Sequence, residues 1–221
     1  VIRHRKREEM PLVRRNVSTI PVQYSNQEKL VYADISRVIT KLMRLSASDE
    51  KPNGLYLCLL KQLLASSSRA FLATIRKRKL NLKEAIDDFE ASDADEYDVP
   101  KQELAILEEF EGRLNDIRLD SKANALVAFI TKTISENPDA RIIIFTRFIQ
   151  TQLYLARLLS KQFKKRVGIF NGAMSSGLKE RVIEDFKANG NVLISTEAGG
   201  EGRNLQFSNI INPSIFSYSL S

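Results

Sequence analysis

Tryptophan is absent from this chain, and cysteine and histidine occur once each, as Cys58 and His4. A single cysteine excludes an intrachain disulfide and points to a reducing compartment. One histidine and one cysteine cannot build a metal site between them. No apolar run approaches the ~18 residues of a membrane span. The basic segment Val1-Ile2-Arg3-His4-Arg5-Lys6-Arg7 has no apolar signal core behind it, so export is not expected. Nor is there a Gly-Lys dipeptide anywhere, which removes the phosphate-cradling Gly-x-x-x-x-Gly-Lys-Ser/Thr loop. Glycine is also scarce in one region. Between residues 26 and 136 only Gly54 and Gly112 occur, whereas seven of the nine glycines fall at or after Gly168.

What is present describes a soluble globular protein: 43% hydrophobic and 28% charged over 221 residues, enough for one sizeable domain or two small ones. Lysine and arginine outnumber acidic residues 34 to 27, a formal charge of +7, which permits a polyanionic partner without demonstrating one. The glycine distribution predicts a helical first region and a strand-and-turn-rich α/β core after it. Asn16–Tyr24 alternates like a strand. Ser25-x-x-Glu28 matches a capping box, and Val31, Ile35, Val38, Leu42 and Leu45 form one face of the helix that follows. Leu55–Lys79 reads as a second helical stretch with a break at Ser66-Ser67-Ser68. Leu104, Leu107, Phe110, Leu114 and Ile117 make another stripe, and Asp120 caps a helix carrying Leu126, Val127, Ile130 and Ile134. Between them Glu84–Asp98 holds eight acidic residues and no basic ones, the composition of a solvated or disordered loop. Asp95-Glu96-Tyr97-Asp98 imitates the magnesium-holding box of a nucleotide hydrolase but lacks the apolar strand before it, so it is rejected as a metal site.

After Pro138 the pattern alternates. Ile142–Phe145 is a predicted strand, Gln150–Phe163 a helix with Leu155, Leu158, Leu159 and Phe163, Val167–Phe170 a strand, and Leu178–Lys187 a helix. Val192–Ser195 and Asn209–Asn212 are further predicted strands. This spacing predicts a parallel sheet with right-handed crossovers, and ligands of such sheets bind at the carboxyl ends of the strands. The third strand runs into Ser195-Thr196-Glu197-Ala198-Gly199-Gly200-Glu201-Gly202-Arg203-Asn204. Hydroxyls and close-approach glycines there suit phosphate, and they equally suit a tight strand-to-helix turn.

The strand-end segments Phe145-Thr146-Arg147-Phe148, Phe170-Asn171-Gly172 with Lys179-Glu180-Arg181-x-x-Ile183-Glu184-Asp185-Phe186, and the glycine turn occur in a fixed order. Together they resemble motifs IV, IVa and V of the second RecA-like lobe of superfamily 2 helicase-like ATPases, and within them the SWI/SNF-type DNA translocases of bacteria and archaea. Asp120-Ser121-Lys122-x-x-Ala125-Leu126 resembles the Ser-x-Lys helix before motif IV, Ile2–Glu9 the basic brace between lobes, and Leu59–Phe71 the helical protrusion of the bacterial members.

The resemblance implies an α/β RecA-like parallel sheet flanked by helices, with an N-terminal helical insertion. It divides the chain into a linker or brace over 1–24, a helical protrusion with an acidic loop over 25–119, and a RecA-like lobe over 120–221. It implies that Thr146, Arg147, Asn171, Gly172, Ser195 and Thr196 face a nucleic-acid strand, whose phosphates recur at every step whatever the sequence. Gly199, Gly200, Gly202 and Asn204 would lie toward a nucleotide, ATP with magnesium in the full-length enzyme, in the cleft against the N-terminal RecA-like lobe. Glu201 is read as an exposed helper and not a general base, and Arg203 has no firm role. Arg181 is read as anchoring its helix or pairing with a carboxylate. The bland alternatives are local: a hydroxyl satisfying a loop amide at Thr146 and Ser195, and a plain turn at Asn171-Gly172.

The expected function is therefore the second motor lobe of an ATP-dependent double-stranded DNA translocase. The lobe of an RNA-directed superfamily 2 helicase and a noncatalytic RecA-like interaction module are the alternatives. The expected partners are duplex DNA, the N-terminal lobe of the same protein and a nucleoprotein or polymerase target, with no membrane. The expected location is cytoplasmic and nucleoid-associated for a bacterial or archaeal source. Without the phosphate loop, the acidic magnesium box or the Gln-x-x-Gly-Arg-x-x-Arg arginine-finger motif, this chain alone is expected to hydrolyse no ATP and to bind no cofactor by itself.

Overall fold

A computed structural model describes residues 22–46, 53–90, 98–117, 120–163, 167–196 and 210–212; segments 41–46, 53–55, 88–90, 98–100 and 210–212 are described by backbone alone. Seven helices and four strands are described: α1 (Asn26–Ser46), α2 (Asn53–Ser66), α3 (Ser68–Glu90), α4 (Asp98–Asn115), α5 (Ser121–Glu136), β1 (Ile142–Thr146), α6 (Ile149–Phe163), β2 (Val167–Phe170), α7 (Ser176–Asn189), β3 (Val192–Thr196) and β4 (Ile210–Asn212).

Local chemistry accounts for the helix boundaries. The capping box forms as predicted: Ser25 N donates to Glu28 Oε2 at 2.8 Å and Glu28 N to Ser25 Oγ at 3.2 Å. The serine run breaks the second stretch at one residue. Ser67 ends α2 and caps α3, its Oγ accepting from Ala70 N at 3.2 Å. Asp120 caps α5 through Ala123 N at 2.9 Å. The strand expected over Asn16–Tyr24 lies outside the described residues up to position 21, and 22–25 carry no regular structure.

The expected acidic loop requires correction. Residues 84–90 continue α3 and Asp98 already belongs to α4, leaving 91–97 outside the described residues. Charge counting overlooked Leu82 and Ile86, one helical turn apart and 6% and 8% exposed, which give this acidic stretch a buried edge.

All described strand pairings are parallel, in the order β2-β3-β1-β4. Alternate strand residues face opposite layers. Ile142, Ile144, Val192 and Ile194 pack with Leu126, Ile130, Leu155 and Leu159 of α5 and α6. Ile143, Leu193 and Phe170 pack with Phe186 of α7. A third core belongs to the helical bundle α1–α4, built from Ile35, Ile39, Leu64, Phe71, Ile75, Phe110 and Leu114, and α3 rests on α6.

Candidate nucleic-acid interface

Register places the predicted contacts along one edge. Phe145 pairs with Ser195 and Thr146 with Thr196, while Phe170 pairs with Ser195 from the other side. Continuing that ladder by one residue sets Asn171 level with Thr196 and Thr146. Segments more than twenty residues apart in sequence thus converge at the carboxyl edge of the sheet, where a parallel α/β sheet leaves room for ligand. The four residues expected to face a nucleotide, Gly199, Gly200, Gly202 and Asn204, lie outside the described residues, as do Glu201 and Arg203.

The six converging residues differ in how much of their polarity is free. Thr146 is 4% exposed, and its Oγ1 has no hydrogen-bond partner among the described residues. A buried hydroxyl left so is costly unless something outside those residues meets it. Ser195 is fully buried and its Oγ donates to Thr196 O at 2.9 Å, a local use, though on a strand carbonyl and not on the loop amide of the bland reading. Arg147 is exposed, its guanidinium 6.0 Å from the Phe148 ring. Asn171 is half-buried and largely committed within the protein. Its Oδ1 accepts from Ala173 N at 3.2 Å and its Nδ2 donates to Gln152 Oε1 at 3.0 Å. This asparagine shapes the turn, which leaves exposed Gly172 as the open approach to its backbone.

Two residues beyond the expected six touch this edge. Lys179, in the first turns of α7, brings its ammonium within 3.3 Å of Gly172 O and 6.0 Å of the Phe170 ring. Gln152, wholly buried on α6, donates through Nε2 to Phe170 O at 2.8 Å and Ile194 O at 2.7 Å. Its signal in the sequence is a polar residue one turn before Leu155, on the helix face that should be apolar. Arg181 is exposed on α7, and the carboxylate pairing read for it is not found among the described residues.

The helical bundle reaches this edge through polar joints. Phe148, next to Arg147, packs against the bundle core. Thr151 Oγ1 and Ser66 Oγ share a hydrogen bond of 3.1 Å. Lys122, in the first turn of α5, donates to Ala65 O and lies 5.4 Å from the Tyr24 ring centroid. Burial outweighs the nearby Asp120 and Glu28 charges and draws its pKa down to about 8. Burial alone would raise the Glu28 carboxyl, but hydrogen bonds from Ser121 and Ser25 reverse this and hold it below its ordinary value. Burial likewise raises the Tyr154 and Tyr32 hydroxyls, with Asp120 adding to the effect in both. Most of the basic run of α3 is paired: Arg76 and Lys79 reach Glu111 at 2.7 and 2.8 Å, and Arg78 meets Glu103 at 2.9 Å.

A parallel sheet with one polar carboxyl edge, covered by helices on both faces, is the doubly wound α/β arrangement that a RecA-like lobe shares. Residues 121–217 match the family described as the helicase conserved C-terminal domain. Over 195 residues the chain is 34% identical to a Bacillus subtilis (strain 168) protein named "Uncharacterized ATP-dependent helicase YqhH". That match takes in 88% of this chain and 30% of the relative, so the chain spans under a third of that protein's length. Among solved structures, the Pyrococcus furiosus Hef helicase domain superposes with a TM-score of 0.62 at 15% identity, over 90% of this chain and 50% of that one. The C-terminal part of the Fun30 ATPase domain aligns over 91% of this chain and 74% of that one, with a TM-score of 0.48 and 17% identity. Among the described residues no helix is long and apolar enough to cross a membrane.

Proposed function

We propose that this chain supplies the second motor lobe of an ATP-dependent, SWI/SNF-type translocase on double-stranded DNA. The carrying observation is the convergence of Thr146, Asn171 and Thr196 at one sheet edge, with the Thr146 hydroxyl buried and unpartnered among the described residues. A motor that steps along any sequence needs contacts to phosphate, not to bases. Small donors at strand ends suit that need: the Thr146 hydroxyl, the backbone at Gly172, and the cations of Arg147 and Lys179 near them. The ordered strand-end motifs and the relative named as an ATP-dependent helicase support the same reading.

In the whole protein, ATP supplies the energy of stepping when bound between two lobes. Gly199, Gly200, Gly202 and Asn204 are proposed to face it, on the sequence resemblance alone. This lobe's described residues hold the nucleic-acid strand and transmit closure through their shared sheet edge. The chain by itself is proposed to hydrolyse no ATP, because the sequence has no phosphate loop.

The test is ATPase stimulation of the two-lobe protein by duplex DNA, duplex RNA and single strands over a range of salt. Stimulation by duplex DNA that declines steeply with salt and ignores base sequence is expected. Stronger stimulation by RNA, together with strand separation, would select an RNA-directed helicase. No nucleic-acid response at all would select a noncatalytic module.

A further inference from the structure

We propose that Gln152 is a positioning residue that clamps the proposed DNA-contacting strand ends together; the inference rests on the functional reading above. A carboxamide offers two N–H donors and one carbonyl acceptor. At Gln152 all of these are used on one edge. Nε2 donates to Phe170 O at 2.8 Å, at the end of β2, and to Ile194 O at 2.7 Å, near the end of β3. Oε1 accepts from Asn171 Nδ2 at 3.0 Å. The amide orientation is chemically determined, since an Oε1 turned toward two carbonyl oxygens would meet only repulsion.

The third strand end is tied to the same residue through its backbone. Gln152 N donates to Phe148 O at 3.0 Å, so the turn that follows β1 and carries Arg147 opens the helix on which Gln152 sits. The preceding residue points the other way: Thr151, also wholly buried, bonds Ser66 of the helical bundle at 3.1 Å. The first turn of α6 therefore holds the three loops from inside and is itself held from outside.

An apolar side chain of equal length would fill the space but leave Phe170 O, Ile194 O and Asn171 Nδ2 without their partner. The strand ends would then lose their common reference, and phosphate contacts that need all three loops in one arrangement would weaken. Gln152 touches no phosphate in this scheme. It acts through Asn171, the end of β3 at Ile194 and the Arg147 turn.

The experiment compares Gln152→Met and Gln152→Glu with the unaltered two-lobe protein, measuring the duplex DNA concentration that half-saturates ATPase stimulation. Gln152→Met should raise that concentration roughly tenfold, since buried partners are left unmet, and lower the maximal rate by less. Gln152→Glu should be similarly impaired at pH 8, where a carboxylate faces two carbonyl oxygens. Its deficit relative to the unaltered protein should shrink toward pH 6, as the buried carboxyl takes a proton and recovers one donor. A half-saturating concentration unchanged in both variants overturns the clamp while leaving the translocase reading intact. So does a Gln152→Glu deficit that ignores pH, which also decides the matter should Gln152→Met fail to melt cooperatively. An unaltered protein that does not respond to duplex DNA overturns the functional reading, and this inference with it.

Discussion

The carboxylate of Glu28 accepts a hydrogen bond from Ser121 N at 2.9 Å, so a residue of α1 caps the first turn of α5, 93 positions away. The same carboxylate also closes its own helix through Ser25 N and takes a short bond from the Ser121 hydroxyl at 2.5 Å. One buried charge thus joins the helical bundle to the RecA-like lobe at two helix N-termini, where negative charge is favoured.

Replacing Glu28 by Gln should destabilise the protein by about 2 kcal/mol, because an amide cannot accept at every one of these donors. The pH dependence follows from the lowered pKa of the carboxyl. The stabilisation is complete above the ordinary carboxylate range and is lost as pH falls through the depressed folded-state value. Thermal melts of both proteins from pH 7 to pH 3 should show the gap in Tm narrowing with acid. A gap that stays constant would remove Glu28 from the linkage.

Lys122 has the same sign of dependence in a more alkaline window. Its pKa falls to about 8 in the fold, whereas the unfolded chain retains a value near the ordinary one. Between these values the unfolded state binds more protons, so stability due to this group rises with pH over that window. Relative to Lys122→Met, the unaltered protein should gain on the order of 3 kcal/mol between pH 8 and pH 10.5. Denaturant melts at stepped pH would check this, and parallel curves for the two proteins would refute it.

Thr146→Val separates stability from binding. The Oγ1 has no partner among the described residues, so an isosteric methyl should leave Tm unchanged or raise it by the equivalent of about 1 kcal/mol. The same change should weaken the DNA response of the two-lobe protein. A large drop in Tm would mean that the hydroxyl serves the fold.

Gly190→Ala should cost about 1–3 kcal/mol. A Cβ there would stand 2.7 Å from Phe186 Cδ2 and 2.8 Å from Phe186 Cα, and the second atom belongs to the backbone of α7. Gly177→Ala is the matching control, since its Cβ would meet nothing within 4 Å. Equal melting temperatures for the two variants would contradict the tight approach at Gly190.

Much of this architecture was legible in the residues. Apolar runs at 142–145, 167–170 and 192–195 marked the strands, Ser25 and Asp120 marked helix starts, and the serine run marked the break between α2 and α3. The shared edge of Thr146, Asn171 and Thr196 was legible as an ordered set of strand ends. The misread acidic stretch at 84–90 shows where composition misleads: two apolar residues one turn apart outweighed the charges around them. Asn171 illustrates a different gap. Its residue type and position were apparent, but its occupation by Gln152 and Ala173 was not.

By itself the sequence determined the elements, their caps and the order of the strand-end loops, because these depend on residues within a turn or two of one another. Only tertiary structure decided that Glu28 would cap a second helix 93 residues away, that Gln152 would bond Ile194 O 42 residues on, and that Arg76 and Lys79 of α3 would pair with Glu111 of α4. Such pairings carry no periodic signature. A buried polar group takes its partner from whatever backbone the closed fold brings within about 3 Å, and folding enforces that choice because an unmet group there is costly.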